Sequence, residues 1–192
     1  YLILLFSTLT IIWVILLGFG SPVALIGGFI FGKWYGMLLI TTCLSLGALS
    51  LYLIGKYFFY DSLKEKLLTR FKKFDKIFSG NHLFVMIIFR FIGFVPFFIA
   101  NLLPVIFNIN IKNYFFGTFI GIIPSVFILS SLGNGLSIAL FQFETFPSIL
   151  TLLILPDIYL PLLGFGLLII ISFFFKNFFN KKMRNINIKK GL

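Results

Sequence analysis

Arg90 and Asn101 are the polar side chains of this sequence whose surroundings would let them do chemistry. Both lie in residues 83–110, a stretch apolar enough to enter a lipid bilayer. A charge at the bilayer centre costs about 2.5–3.5 kcal/mol on insertion scales, so intramembrane charges generally mark functional sites. A guanidinium can hold a phosphate through two parallel hydrogen bonds. We therefore interpret Arg90 as a candidate phosphate ligand and Asn101 as a second substrate-binding candidate.

Both residues also have structural interpretations. Arg90 could satisfy backbone carbonyl groups at a break in its helix, or it could pair with Asn101. Asn101 could satisfy freed backbone groups or hydrogen-bond a headgroup, and the sequence does not separate these roles. No nucleophile paired with a base, phosphate-binding glycine loop or metal-ligand cluster is visible. We therefore expect no catalytic residue, no metal, no cofactor and no enzymatic activity.

Glycine and proline interrupt the same apolar stretch. Proline removes a backbone donor and clashes with the preceding turn of a helix. Broken backbone at membrane depth is tolerated where protein or a watery cavity covers it. Residues 83–110 are therefore predicted to form a re-entrant or broken helix that lines a polar cavity. The residues predicted to shape this break and its counterparts are Gly27, Gly28, Gly32, Gly93, Pro96, Pro104, Gly121 and Pro124.

The composition indicates an all-α polytopic membrane protein. Of 192 residues, 60% are hydrophobic and 11% are charged, whereas about a quarter of residues are charged in soluble domains. The length suits a single membrane domain over residues 1–192.

The net charge of +11 is concentrated beside the apolar runs. Basic residues flanking membrane spans mark the cytoplasmic side, so the charge is assigned to topology, with no nucleic-acid partner. The protein is expected in the plasma (inner) membrane with a cytoplasmic basic tail at 176–192. Two clusters hold most of this charge: Lys56, Lys64, Lys66, Arg70, Lys72, Lys73 and Lys76, and then Lys176, Lys181, Lys182, Arg184, Lys189 and Lys190.

Residues 61–79 predict an amphipathic helix. Apolar residues recur there at steps of three and four, and Ser62 with Glu65 fits a capping box. Its basic face is predicted to lie on anionic lipid through Lys64, Lys66, Arg70, Lys72, Lys73 and Lys76. The alternative is a loop helix with a solvated basic face.

The order of apolar runs predicts about four transmembrane helices and two oppositely facing re-entrant hairpins. The spans are residues 2–17, 36–57, 114–132 and 158–175, and residues 18–22 end the first. Residues 23–35 are too short to cross and are predicted to re-enter, as are residues 83–110 from the opposite face. This is the pattern of an inverted repeat, which places the site in the gap between the two re-entrant stretches.

Two charges and one long connector complete this topology. Residues 133–157 carry no Lys or Arg and are predicted to be an outer connector. Lys33 falls on the side that the basic clusters do not favour. Asp157 is interpreted as a solvated carboxylate at the end of the connector, with titration at the outer interface as the alternative.

Several short motifs in a fixed order resemble the DedA-like superfamily, also called SNARE-associated Golgi or VTT-domain proteins, in its Tvp-type bacterial branch. The resemblance covers residues 22–133. It implies two facing re-entrant hairpins and a role in moving lipids between leaflets. The motifs are Gly27-Gly28-Phe29-Ile30-Phe31-Gly32 with Gly36, Gly47-Ala48, Gly55-Lys56-Tyr57, Arg90 with Pro96-Phe97 and Asn101, and Thr118-Phe119-Ile120-Gly121-Ile122-Ile123-Pro124.

The sequence departs from the family at two kinds of position. Gly93 lies in the gap where many members carry a further proline, and Leu102 follows Asn101 where some have glycine. No acidic residue occurs in residues 1–60, so the family's proton-coupling residues cannot be transferred to this chain. The resemblance implies a transporter or scramblase of phospholipid or lipid-phosphate, and this is the function that we expect. The alternatives are an ion- or proton-coupled small-solute transporter and a non-transporting scaffold; anionic membrane lipids and a homo-oligomer are the expected partners.

Overall fold

The computed structural model describes residues 1–16, 18–62, 65, 81–92, 97–142, 148 and 153–188. These residues contain seven helices of ten residues or more and no strand, which confirms the all-α prediction. The helices are α1 (Leu2–Ile15), α2 (Gly20–Phe31), α3 (Lys33–Phe58), α4 (His82–Ile92), α5 (Phe97–Ile106), α6 (Ile111–Gln142) and α7 (Pro156–Ile188).

The first helix ends earlier than predicted. α1 stops at Ile15, and α2 already begins at Gly20, so Ser21 and Pro22 lie in the first turn of a helix. Proline is tolerated in a first turn because the N–H that it lacks would have no partner there. The indole Nε1 of Trp13 donates a hydrogen bond to the Phe19 carbonyl at 2.9 Å, which links the last turn of α1 to the residue before α2.

A single glycine separates α2 from α3. Gly32 has φ +80, a left-handed conformation that glycine adopts without strain. The 12 residues of α2 are about 18 Å long and cannot cross a core about 30 Å thick. The 26 residues of α3 can cross it. The predicted short segment followed by a span is confirmed, while its re-entrant path through a bilayer stays a prediction.

The described part of the stretch 83–110 contains two short helices. α4 has 11 residues and α5 has 10. Gly93 and Pro96, which were predicted to shape the break, lie outside the described residues. Pro104 was also assigned to the break, but it lies inside α5, which continues to Ile106. The chain turns instead at Asn108, whose φ is 48.

The predicted span 114–132 is part of a longer helix. α6 has 32 residues and contains Gly121 and Pro124 without a break, so neither residue shapes a hairpin. The helix reaches Gln142, and the predicted connector is therefore wrong over residues 133–142. Gly133 packs against α2 at this point: a Cβ on Gly133 would lie 2.0 Å from the Leu25 carbonyl oxygen.

α6 is the centre of the fold. It packs against α2, α3, α4 and α7, while α1 packs on α3 and α5 packs on α3. Gly28 brings α2 so near to α6 that a Cβ there would lie 2.2 Å from the Ser130 carbonyl oxygen. Small residues allow such backbone approach in membrane helices.

The outer faces of α1 and α7 are apolar and exposed. Leu4 on α1 is 70% exposed, and Leu163 and Phe174 on α7 are 61% and 69% exposed. Apolar surface of this extent marks contact with lipid or another partner. Among the described residues, α3 and α6 are long and apolar enough to cross a membrane. The other predicted spans fall on α1, with 14 residues, and on the apolar part of α7, residues 156–171.

The predicted basic tail is not separate from the last span. The helix α7 includes residues 176–188 and ends at Ile188. The predicted amphipathic helix at 61–79 falls almost entirely on residues that the structure does not describe, as do the six basic side chains assigned to it.

Candidate functional site

Arg90 is buried at the end of α4. Its side chain is 8% exposed, in the last turn of the helix, where the helix dipole favours a cation. The guanidinium Nε donates to Thr118 Oγ1 at 3.1 Å, and Nη2 donates to the Tyr114 hydroxyl at 2.9 Å. Both partners are on α6, so the cation is fixed between two helices.

Tyr114 connects Arg90 to Asn101. Its hydroxyl accepts from Arg90 and can donate to the Ala48 carbonyl at 3.1 Å, with the Asn101 backbone and side-chain oxygens at 3.4 and 3.5 Å. Both Tyr114 and Asn101 are fully buried. The two predicted substrate-binding residues therefore belong to one cluster, and they meet through a phenol that the sequence analysis did not select.

Tyr52 completes the cluster from α3. Its ring stacks on Tyr114 with a centroid distance of 4.5 Å and an interplanar angle of 30°. Its hydroxyl donates to the Ile109 carbonyl at 2.5 Å, just after α5. Lys56, one turn along α3, places Nζ 6.0 Å from the Tyr52 ring centroid. A second cation therefore lies at the edge of the cluster.

Small residues on α6 set the position of Arg90. A Cβ on Gly121 would lie 2.7 Å from the Arg90 Cβ and 2.8 Å from the Ile87 carbonyl oxygen. A Cβ on Gly117 would lie 2.4 Å from the Met86 Cβ. α4 therefore touches the α6 backbone, and this contact lets the short Thr118 hydroxyl reach the guanidinium.

The sequence analysis did not select Tyr114 and Thr118 as site residues, although they share a helix face with Gly121. The three residues stand at i, i+4 and i+7 of α6, which places them on one face. Read along that face, they form a polar and small stripe inside an apolar span. This stripe was the signal that could have identified Tyr114 and Thr118.

The cluster does not lie where the sequence placed the site. The prediction put it between the two short broken stretches, but α2 packs mainly on α6 and α3. The cluster instead lies where α3, α4, α5 and α6 meet, because Tyr114 on α6 contacts Arg90, the Ala48 carbonyl of α3 and Asn101 of α5. Gly27 packs against the Ile40 side chain, so the glycines of α2 position that helix away from the cluster.

The charge in the cluster is not neutralised within the part of the chain that the structure describes. The hydrogen-bond partners of Arg90 there are two hydroxyl groups, which carry no charge. The buried Asn101 Nδ2 has no hydrogen-bond partner among the described residues. The cluster thus combines a desolvated cation with a free amide donor, an arrangement suited to an anionic oxygen.

Comparisons with known proteins identify the family. The VTT domain matches residues 13–135. Over 118 residues the chain is 30% identical to Transmembrane protein 41B of Xenopus tropicalis, covering 59% of this chain and 42% of that protein. It is 26% identical over 133 residues to the Transmembrane protein 41 homolog of Caenorhabditis elegans, covering 66% and 54%.

The human Transmembrane protein 41B is 29% identical over 118 residues, which are 59% of this chain and 40% of the human protein. The chain therefore matches about half of the length of these relatives or less. No solved structure matches it. These relatives are animal proteins, so placement in a bacterial branch stays a prediction. With the VTT domain over well more than half of its length, the chain belongs to the VTT-domain family of DedA-like membrane proteins.

Proposed function

We propose that this protein moves phosphate-bearing lipids between the leaflets of a membrane, as a transporter or scramblase. In this proposal Arg90 holds the headgroup phosphate, and Asn101 supports it with its free amide. The family supports a membrane role, and the buried cation of the cluster supports a phosphate as the group that is handled.

One observation carries the proposal, namely the uncompensated charge of Arg90. A buried guanidinium is normally paired because burying a lone charge costs several kcal/mol. Here the described partners are the neutral hydroxyls of Thr118 and Tyr114. A lipid phosphate would supply the missing negative charge at the time of transport.

The hydrogen-bonding capacity of the cluster agrees with this role. A guanidinium has five N–H donors, and Arg90 uses two of them on described residues. The donors that remain, together with Asn101 Nδ2, match the acceptor oxygens of a phosphate.

In this proposal the transport cycle includes a closed state, which is supported by the burial of Arg90, 8% exposed, and of Asn101, fully buried. Access requires α4 and α5 to separate from α3 and α6. Broken helices beside a buried site are the elements that move in many transporters.

The orientation of the protein follows from the cations near the cluster. Lys56 on α3 and Lys112 on α6 lie at the end of the helices where Tyr52 stacks on Tyr114. By the positive-inside rule we place this end, and the basic C-terminus, on the cytoplasmic side of the plasma membrane.

A reconstitution experiment tests the function. The purified chain is placed in liposomes with a fluorescent phospholipid, and a membrane-impermeant quencher reports the lipid exposed on the outer leaflet. We expect faster lipid exchange than in empty liposomes, and loss of this increase with Arg90→Ala. Lys112→Ala is the matched control, since it removes an exposed cation outside the cluster.

The other possible outcomes of this experiment distinguish the alternative functions. Equal exchange by Arg90→Ala and the wild type would remove Arg90 from the mechanism. No exchange by any variant, with vesicle binding retained through residues 61–79, would favour the scaffold. A solute flux without lipid exchange would favour the small-solute transporter.

A further inference from the structure

A cleft separate from the Arg90 cluster lies at the N-terminal end of α3. It encloses about 270 Å³ between the first turn of α3, the middle of α6 and the first turns of α7. Its lining includes Lys33, Trp34, Phe127, Ser131, Asp157 and Leu160. None of these residues belongs to the Arg90 cluster.

The cleft is displaced from the Arg90 cluster along both α3 and α6. On α3, Lys33 and Tyr52 are separated by about 28 Å of helix, and on α6, Thr118 and Ser131 are separated by about 20 Å. Trp34 lies against Phe127, with ring centroids 5.0 Å apart, just as Tyr52 lies against Tyr114. The two helices therefore contact each other through an aromatic pair beside the cleft and through another in the Arg90 cluster.

The cleft contains both signs of charge without an ion pair between them. Within the described ranges no salt bridge joins Lys33 to Asp157, although both line the same cavity. Ser131 is 7% exposed, and its hydroxyl oxygen has no hydrogen-bond partner among the described groups. A ligand carrying an anion and a cation would satisfy both charges, and its oxygens could accept from Ser131.

The N-termini of two helices add to the attraction for the anionic group of such a ligand. Both α3 and α7 begin at the cleft, so the positive ends of their dipoles favour a negative group there. Asp157 also complements the dipole of α7. Its carboxylate is nevertheless exposed and able to receive an ammonium group.

The remaining walls of the cleft are apolar. Trp34 is 63% exposed and Leu160 is 57% exposed. Tryptophan is enriched at membrane interfaces, where an apolar body meets a wet edge. The cleft thus places the polar groups of Lys33, Ser131 and Asp157 beside apolar walls suited to the glycerol and upper acyl chain of a lipid.

We propose that this cleft docks a phospholipid whose headgroup carries an ammonium group. Lys33 holds the phosphate, and Asp157 holds the ammonium. The role of this docking in lipid movement rests on the proposed function, whereas the binding itself does not.

Tryptophan fluorescence tests the binding directly. The chain has two tryptophans, so Trp13→Phe leaves Trp34 as the reporter within the cleft. The full chain in detergent is titrated with short-chain phosphatidylethanolamine, short-chain phosphatidylglycerol, free phosphoethanolamine and inorganic phosphate. Thermal unfolding of every variant confirms that it is folded.

We expect a saturable change with phosphatidylethanolamine, at least about tenfold tighter than with phosphatidylglycerol, which corresponds to one ionic contact. Lys33→Gln and Asp157→Asn should each weaken binding by about tenfold. Lys112→Gln, the matched control outside the cleft, should leave it unchanged. Equal affinity for the two lipids would overturn the proposal, and so would unchanged binding in either cleft variant. Equal affinity for free phosphoethanolamine or phosphate would replace the lipid by a soluble ligand and overturn it too.

The two proposals fail separately in these experiments. Arg90→Ala should retain cleft binding and lose lipid exchange. Cleft binding with normal lipid exchange in Arg90→Ala would refute the role of the Arg90 cluster and leave the docking site standing.

Discussion

The Tyr114 hydroxyl accepts a hydrogen bond from Nη2 of Arg90 at 2.9 Å, and the guanidinium carbon lies 5.5 Å from the centre of the same ring. One phenol therefore supports the buried cation by a hydrogen bond and by its π face. The same hydroxyl reaches the Ala48 carbonyl of α3. Tyr114 thus links α4 to α3 and α6. The first variant to test therefore removes the Tyr114 hydroxyl.

Tyr114→Phe should destabilise the protein by about 1–3 kcal/mol, because it leaves buried polar groups without a partner. Arg90 loses its Nη2 acceptor and the Ala48 carbonyl loses its donor. The free energy of unfolding can be measured by denaturant titration in micelles, and lipid exchange in liposomes.

Tyr52→Phe is the matched control for that variant. It removes the hydrogen bond to the Ile109 carbonyl but leaves both partners of Arg90 in place. We expect a comparable loss of stability with lipid exchange retained. If Tyr114→Phe exchanges lipid as fast as Tyr52→Phe, the support of Arg90 by Tyr114 has no functional role.

Arg90→Met separates the stability of the cluster from its function. Replacing an unpaired buried charge by an apolar side chain of similar length removes a desolvation cost of several kcal/mol. We therefore expect unfolding at an equal or higher denaturant concentration, together with loss of lipid exchange. A purely structural arginine would give the opposite result, with lower stability and normal exchange by the folded fraction.

Gly28→Ala should separate α2 from α6. The new methyl group would lie 2.2 Å from the Ser130 carbonyl oxygen and 2.4 Å from its Cα, and backbone cannot rotate away. Overpacking of this kind costs about 1–3 kcal/mol. Gly166→Ala on α7 is the control, since nothing lies within 4 Å of its Cβ position. That variant should be neutral or stabilised by about 0.5–1 kcal/mol in thermal unfolding.

Gly32 should tolerate asparagine better than alanine. Its φ of +80 costs a residue with a Cβ about 1–2 kcal/mol, and asparagine offsets part of this cost by local hydrogen bonding. Thermal unfolding should therefore rank wild type above Gly32→Asn and Gly32→Asn above Gly32→Ala. Equal stability of all three would show that the α2–α3 junction adopts another conformation in the membrane.

Local signals in the sequence identified several elements of the fold. The short helix before a glycine and the long span after it follow from residue spacing and helical rise, and both occur as α2 and α3. These signals act within one or two helical turns, so they can be read without knowledge of the fold.

The sequence analysis assigned Pro124 to a hairpin and Gly133 to a connector, because the packing of neighbouring helices is not visible in the sequence. Pro124 sits in a continuous α6, and Gly133 belongs to the same helix instead of a connector. Gly133 and Gly28 are small because the backbones of α2 and α6 touch there. A sequence shows that a residue is small, but not whether it serves a turn or a contact.

The sequence by itself determined the helical membrane class, the family and the two buried polar residues Arg90 and Asn101. Only the tertiary structure decided that Tyr114 joins them, and that their cluster lies among α3, α4, α5 and α6. The pattern of apolar residues shows which side chains are buried away from water, because the free energy of that transfer depends on the apolar surface area of each side chain. Hydrogen bonds between residues 24 or 66 positions apart depend on how the helices pack, and helices in lipid are placed by close fit, with little help from hydrophobicity.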